Sequence, residues 1–389
     1  MAARFPQKDN GASGNSPTKD AQGAAPAQGA AAVQPLAMVV ARRDYINDEA
    51  FNIARQIYSP SFPVIQGGES VYSHKKVEQS IFKGRGREIL LLKNEEASPG
   101  TVMKLFIRED NNKVVSEINE RRYLRELKTH LYLLNGNTGS RSPCPFIASI
   151  TASQFTFDNA WGIEVEYFPR GTFADITLEM SPTDCLLLLA SAARGIAYVH
   201  HKKIAHADIK PENFVVTQDA EGKLQAKVID FGTARPFGTT VCKYFGDTTI
   251  YRCPELFIHS SSYCLKEQPS AATDAWSFGM TVLWVMTLAT ARTPWKRAEY
   301  SDIDYNYFSQ NNEGLNGGAD PEKLTFLDSD FHVLSKFANM LVCNLLTLKP
   351  SKRFSMARVA DEIAKHLQKS PDEPETRRRE EVACALRDK

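Results

Sequence analysis

At 389 residues the chain exceeds one minimal domain and suits a two-lobed unit with tails, and its 42% hydrophobic content is enough for a sizeable core. Forty-seven basic against 46 acidic residues leave a formal net charge of +1, so no basic excess points to nucleic acid or to an anionic membrane surface. The seven cysteines (144, 185, 242, 253, 264, 343 and 384) are scattered and form no C-x-x-C pair, which speaks against zinc or a disulfide framework and for a reducing compartment.

Residues 1–40 are rich in Ala, Gly, Gln and Pro and poor in aromatics; they cannot bury enough apolar surface to offset ordering entropy and are expected to be disordered. The opening Met1-Ala2-Ala3-Arg4-Phe5 leads into polar sequence rather than a secretory apolar stretch, Ala2 excludes N-myristoylation, and no apolar run approaches a membrane span. A soluble intracellular protein, cytoplasmic or nuclear, is the expectation. Residues 41–75 form an N-terminal extension, with a short helix expected around Asp44 to Tyr58 that packs through Ile46, Phe51, Ile53 and Ile57.

From Lys76 the pattern shortens. Val77 to Phe82, Glu88 to Leu92 and Thr101 to Ile107 predict three antiparallel strands. Lys113 to Leu134 predicts a charged helix with Val114, Ile118, Leu124 and Leu127 on one side. A loop follows at Asn135 to Pro145, then strands at Ile147 to Phe157 and Trp161 to Tyr167. After Pro169 the chain turns helical, and Leu186, Leu189, Ala193, Ile196, Ala197 and His200 trace one face. Phe214 to Thr217 and Gln225 to Ile229 read as strands around a polar turn with Gly222; Thr273 to Leu288, Phe331 to Leu348 and Met356 to Leu367 read as helices. Strands first and helices after, with polar motifs between, make an α+β two-lobed arrangement, ending in a charged tail over 369–389.

The chemistry-bearing residues lie at the junction. His206-Ala207-Asp208-Ile209-Lys210-Pro211-Glu212-Asn213 is followed by Asp230-Phe231-Gly232, the pattern H-x-D-x-K-x-x-N then D-F-G. It resembles the catalytic core of the eukaryotic protein kinases. The resemblance implies a two-lobed kinase-like fold: a small antiparallel β lobe with one regulatory helix over 76–168, and a larger, mainly helical lobe over 169–368. It implies Asp208 as catalytic base, Lys210 on the γ-phosphate, and Asn213 and Asp230 as oxygen ligands of Mg²⁺. A lysine at 210 resembles the serine/threonine kinases rather than the tyrosine-directed ones.

Further motifs extend the resemblance from residue 83 to residue 353. Lys83-Gly84-Arg85-Gly86-Arg87-Glu88-Ile89-Leu90-Leu91 resembles the glycine-rich phosphate loop, with Gly84 and Gly86 in place, Ile89 where a third glycine belongs, and Leu91 over the adenine. Gly67 to Tyr72 is a rival for the same role. Lys104, in Val102-Met103-Lys104, matches the lysine on the α- and β-phosphates, with Val102 beside it in the nucleotide pocket. Its ion-pair partner is expected at Glu120 rather than Glu117, because Leu124 then falls one turn on and faces inward. Val165 takes the gatekeeper position, and the backbone of Glu166 and Phe168 is expected to bond adenine. Cys253-Pro254-Glu255 resembles A-P-E, Asp274 to Gly279 resembles the D-x-W-S-x-G helix whose Asp holds the catalytic loop, and Arg353 matches the arginine that pairs with Glu255.

Ala207 stands where the family has an arginine that binds a phosphorylated activation-loop residue, so Thr239, Thr240 or Thr248 has no such partner there. Activity independent of activation-loop phosphorylation is therefore expected. Together the motifs imply a serine/threonine protein kinase using ATP and Mg²⁺ on protein substrates. Two alternatives stand beside it: an ATP-binding pseudokinase scaffold, motivated by Ile89 and Ala207, and a small-molecule phosphotransferase, disfavoured by the downstream motifs.

Overall fold

The computed structural model describes residues 75–84, 86–94, 100–109, 111–135, 144–156, 160–176, 180–239, 249–257, 268–287, 293–311 and 335–369. Residues 1–40, the helix expected at 44–58, the rival loop expected at 67–72, Thr240, Thr248 and the residues beyond 369 lie outside them.

Five antiparallel strands form one sheet in the order β1-β2-β3-β5-β4: β1 Lys75–Gly84, β2 Arg87–Asn94, β3 Thr101–Ile107, β4 Ile150–Thr156 and β5 Ala160–Glu166. Successive side chains of a strand leave opposite faces. In β3, Met103 and Leu105 therefore join Leu92 and Ala160 in one buried cluster, while Val102, Lys104 and Phe106 take the other side. On that side Phe106 packs with Tyr123, Leu127 and Leu131 of helix α1 (Lys113–Asn135) and with Ile163 of β5.

The stripe that α1 buries differs from the expected one. Val114 and Ile118 are exposed, whereas Asn119, Tyr123, Glu126, Leu127, His130 and Leu131 face inward. The inward residues recur at helical spacing, but three of them are polar, so hydrophobicity alone misplaces the face. They are polar because each bonds a partner inside: Asn119 to Gly86 O and Ile107 O, Glu126 to Lys104, and His130 to Ala148 O.

The larger lobe is built around α2 (Pro182–His201), which starts at Ser181, whose hydroxyl accepts from Asp184 N at 3.0 Å, with Pro182 in the first turn. Leu186, Leu189, Ala193 and Ile196 are buried, as the helical pattern predicts. Gly195 lets the helix approach the sheet: a Cβ there would lie 2.6 Å from Val228 Cγ2 and 2.9 Å from Phe146 O. The strands β7 (Phe214–Gln218) and β8 (Leu224–Val228) form a hairpin against α2. Helices α3 (Ala271–Met286), α5 (Lys336–Leu345) and α6 (Met356–Lys369) follow, with α5 shorter than the predicted Phe331 to Leu348.

Three elements escape the periodicity reading. Helix α4 (Ile303–Asn311) has no strong apolar repeat; Asp302 Oδ1 accepts from the amides of Asp304 and Tyr305 at its start, and Tyr305 and Phe308 pack with Trp276 and Trp295. The two-residue strands β6 (Ile204–Ala205) and β9 (Arg235–Pro236) pair antiparallel. Neither is long enough to leave a sequence signal, yet their pairing brings the segment after Ala205 beside the segment before Arg235.

Candidate active site

The pairing of β6 with β9 sets the loop 206–213 against Asp230-Phe231-Gly232, and cross-bonds finish the alignment. His206 Nε2 lies 3.0 Å from Ile229 O, Ile229 N donates to Asn213 O at 3.1 Å, and Thr233 Oγ1 donates to His206 O at 3.0 Å. Asp274 of α3 clamps the loop from behind: Oδ2 accepts from His206 N at 2.8 Å and Oδ1 from Ala207 N at 3.0 Å, with His200 Nε2 2.9 Å from Oδ2. The role expected of Asp274, holding the loop's backbone, matches this geometry. Ala207 sits at φ +62°, a left-handed conformation that costs a side-chain-bearing residue about 1 kcal/mol, and the Asp274 bond helps to keep it there.

Within the loop, Asp208 Oδ2 is 2.8 Å from Lys210 Nζ and 3.2 Å from Asn213 Nδ2, which also donates to Asp208 O at 2.7 Å. With its nitrogen so committed, the Asn213 amide presents its oxygen on the opposite side.

Across the cleft, Lys104 Nζ donates to both carboxylate oxygens of Glu126 at 2.8 Å and to Asp230 Oδ1 at 2.9 Å. Burial alone would lower the lysine, but Asp230 and Glu126 outweigh it and hold its pKa above the ordinary value. Burial likewise opposes charge on Asp230, yet Lys104 and the Gly232 amide carry its carboxyl well below the usual range. Glu126 goes the other way: burial pushes it up to about 7, against the pull of Lys104 and with Asp230 adding to the rise.

The expected partner of Lys104, Glu120, is therefore corrected to Glu126. Glu120 lies one residue past the inward-facing Asn119 and is half-buried away from the lysine, whereas Glu126 shares the inward stripe with Tyr123, Leu127 and His130. Glu117 is also excluded; it is exposed and pairs with Arg121. The spacing to Tyr123 and Leu127, both buried, was the signal that could have found Glu126.

Phe231 anchors Asp230 from below, packed between the rings of His130 on α1 and His206 at centroid distances of 4.9 and 5.3 Å. His130 Nε2 donates to Ala148 O over 2.7 Å, and burial holds its pKa down at about 4, so the ring is neutral at physiological pH. Asp230 itself has φ +61°, and 34% of its side chain is exposed.

The remaining expected residues lie on β1, β2, β3 and β5, in the turn between β1 and β2, and at the link between the lobes. Leu91 and Val102 are Cα partners on β2 and β3, two residues from Lys104. Gly84 closes β1 opposite Arg87, Gly86 turns the chain at φ +72°, and Lys83 is exposed with Glu88 at 3.6 Å. Val165 packs beside the Phe106 cluster. At the link between the lobes, the Glu166 amide donates to Ser149 O at 3.3 Å, and its carboxylate accepts from Ser149 N at 2.7 Å and Lys227 Nζ at 2.8 Å; Phe168 is buried under the same lysine. Lys227, Asn119 and His130 are site neighbours that motif reading did not single out.

Further from the cleft, Arg353 pairs with both oxygens of Glu255, as expected, and also bonds Ala272 O and Thr347 O while lying over Trp276. Cys253, in the place of an alanine, is wholly buried, and burial beside Glu255 keeps its thiol well above the usual pKa and inert.

Residues 76–367 match the family model of the protein kinase domain, three quarters of the chain and every motif above, so this chain belongs to the protein kinase domain family. Among curated proteins it is 28% identical over 297 residues to the serine/threonine-protein kinase SBK1 of Danio rerio, covering 75% of this chain and 65% of that one. It is 29% identical over 213 residues to the inhibitor of nuclear factor kappa-B kinase subunit alpha of Danio rerio, covering 53% and 26% respectively. It is 34% identical over 102 residues to mitogen-activated protein kinase 5 of Oryza sativa subsp. indica, covering 26% and 25%. The chain thus spans under two thirds of SBK1 and about a quarter of the other two. Among the described residues no helix is long and apolar enough to cross a membrane.

Proposed function

We propose that this chain is a serine/threonine protein kinase that moves the γ-phosphoryl group of ATP to protein hydroxyls, with the kinase domain over 76–368 flanked by the segments 1–40, 41–75 and 369–389. The observation that carries it is the pair of clusters facing one cleft: Lys104 held at once by Glu126 and Asp230, and Asp208 held by Lys210 and Asn213.

The donor set fits a magnesium–nucleotide complex. Asp230 and Asn213 offer hard oxygens, as Mg²⁺ requires, and two protein ligands suit an ion that shares phosphate oxygens rather than one in an all-protein cage. Bound Mg²⁺·ATP supplies the phosphoryl group and neutralises its oxygens. Lys104 offers an ammonium to the α- and β-phosphates, and Glu126 keeps it at that height. Leu91 and Val102 offer apolar surface to the base, with the backbone of Glu166 and Phe168 at its edge. Asp208 receives the hydroxyl proton: Lys210 and Asn213 engage Oδ2, which leaves Oδ1 for the incoming Ser or Thr, and Lys210 faces the γ-phosphate.

Because Ala207 cannot bind a phosphate, activity does not require a phosphorylated activation loop. Balanced charge and dispersed cysteines support protein substrates rather than nucleic acid or membrane as partners, and a cytoplasmic or nuclear setting.

Radiolabelled ATP with generic protein substrates, followed by phosphoamino-acid analysis, tests the assignment. Wild type is expected to label Ser or Thr, with losses of roughly 10²-fold or more in Asp208→Asn and Lys104→Met. Nucleotide binding without any transfer by wild type would favour a scaffold instead.

A further inference from the structure

The inward face of α1 carries a second buried polar group two turns before Glu126. Asn119 is 1% exposed, and its Nδ2 donates to Gly86 O at 3.2 Å and to Ile107 O at 2.7 Å. Arg122 Nη1, one turn on, lies 3.5 Å from Asn119 Oδ1, which orients the amide with its nitrogen toward both carbonyls. The Gly86 carbonyl also accepts from Ile107 N at 3.0 Å, so the tip of the loop between β1 and β2 is bonded both to the end of β3 and to the helix.

Gly86 is matched to this contact. Its φ of +72° favours glycine, and a Cβ there would lie 2.5 Å from Asn119 Nδ2. The second glycine of the loop thus admits a side chain of α1 as well as providing a turn. Residues seven apart on a helix share a face, so one rigid stripe carries both the amide that holds Gly86 and the carboxylate that holds Lys104.

We propose that Asn119 is a positioning residue that fastens the phosphate-covering loop to α1, so that the helix setting Glu126 against Lys104 also sets the loop over the nucleotide. Displacing α1 would withdraw the lysine's partner and lift the loop in one movement. This rests on the reading of residues 84–91 as the phosphate-covering loop. A buried amide whose two hydrogens both reach backbone carbonyls has no purely apolar substitute: leucine leaves Ile107 O without its side-chain donor, and aspartate turns an acceptor on two acceptors.

The test uses the full chain with Asn119→Leu, Asn119→Asp and, from the loop side of the same contact, Gly86→Ala. Hydrogen exchange without nucleotide is expected to accelerate at residues 84–89 while 121–133 keeps its protection. In the two Asn119 variants the KM for ATP and the Kd of a fluorescent ATP analogue are expected to rise about 5- to 10-fold, the scale of one lost hydrogen bond, with kcat within about 2-fold. Lowered melting temperature with unchanged loop exchange and unchanged KM in all three variants would overturn the proposal, as a purely structural asparagine behaves that way. Should one Asn119 variant not fold, the other decides the matter by the same readouts. If wild type neither binds the analogue nor transfers phosphate, the nucleotide-site reading fails, and faster exchange at 84–89 in the variants still reports the tether.

Discussion

At the scale of single residues, the contest over Lys104 separates two glutamates six positions apart. Glu126→Gln removes the charge that both oxygens bring to the lysine, and misplacing that ammonium is expected to lower kcat/KM on the order of 10²-fold. Glu120→Gln is expected to change it less than about 2-fold, since that side chain touches neither Lys104 nor the cleft. Steady-state kinetics of both variants on one substrate check this, and equal losses would return the role to Glu120.

His130 supplies a second prediction. Its pKa falls from 6.5 to about 4 on folding because the ring is buried beneath Phe231, with Lys104 adding to the fall and Ala148 O and Asp230 opposing it. A depressed histidine binds fewer protons folded than unfolded, so its contribution is complete above pH 6.5 and disappears as pH falls toward 4, a loss of roughly 3 kcal/mol. Urea unfolding of wild type and His130→Leu between pH 4 and 7 should therefore show a stability gap that narrows on acidification. A gap constant across that range would contradict the buried, neutral ring.

At the scale of elements, most of the sheet and the long helices follow from pattern. The alternation in Thr101 to Ile107 and the apolar stripe of α2 appear in the structure where periodicity puts them. Helix α1 shows the limit: its existence and length were legible, but its inward face was not, because Asn119, Glu126 and His130 are buried for what they bond rather than for apolar surface. The same reason conceals β6, β9 and α4, which tertiary partners hold in place of local propensity.

The junction of α3 with the segment before α6 gives the element-scale prediction. The Arg353 side chain is fully buried, and it satisfies Glu255, Ala272 O and Thr347 O together. Arg353→Ala strands the Glu255 carboxylate and two carbonyls and is expected to cost about 3–5 kcal/mol. Lysine cannot reproduce the forked geometry, so Arg353→Lys should recover less than half of that loss. Chemical denaturation of the three proteins measures it, and full rescue by lysine would mean that charge alone matters at this junction.

For the whole molecule, the question is what sets the site in its working arrangement. Ala207 offers no guanidinium to a phosphate, while Asp274, the β6–β9 pairing and the Phe231 packing between two histidines already hold the loop and Asp230 together. Phosphatase-treated and untreated protein should accordingly have equal specific activity. Complete loss on treatment would show that the site's arrangement depends on a phosphate bound somewhere other than position 207.

The candidates for the reacting groups were legible in the sequence, because H-x-D-x-K-x-x-N followed by D-F-G is a local pattern of side chains whose spacing alone is specific. Which glutamate meets Lys104, that a loop glycine rests on a helix asparagine, and that two-residue strands align the two aspartates were decided only by tertiary structure. Those facts depend on which face of a helix turns inward and which distant segments pair, and burial of polar groups for bonding leaves no periodic trace in the chain.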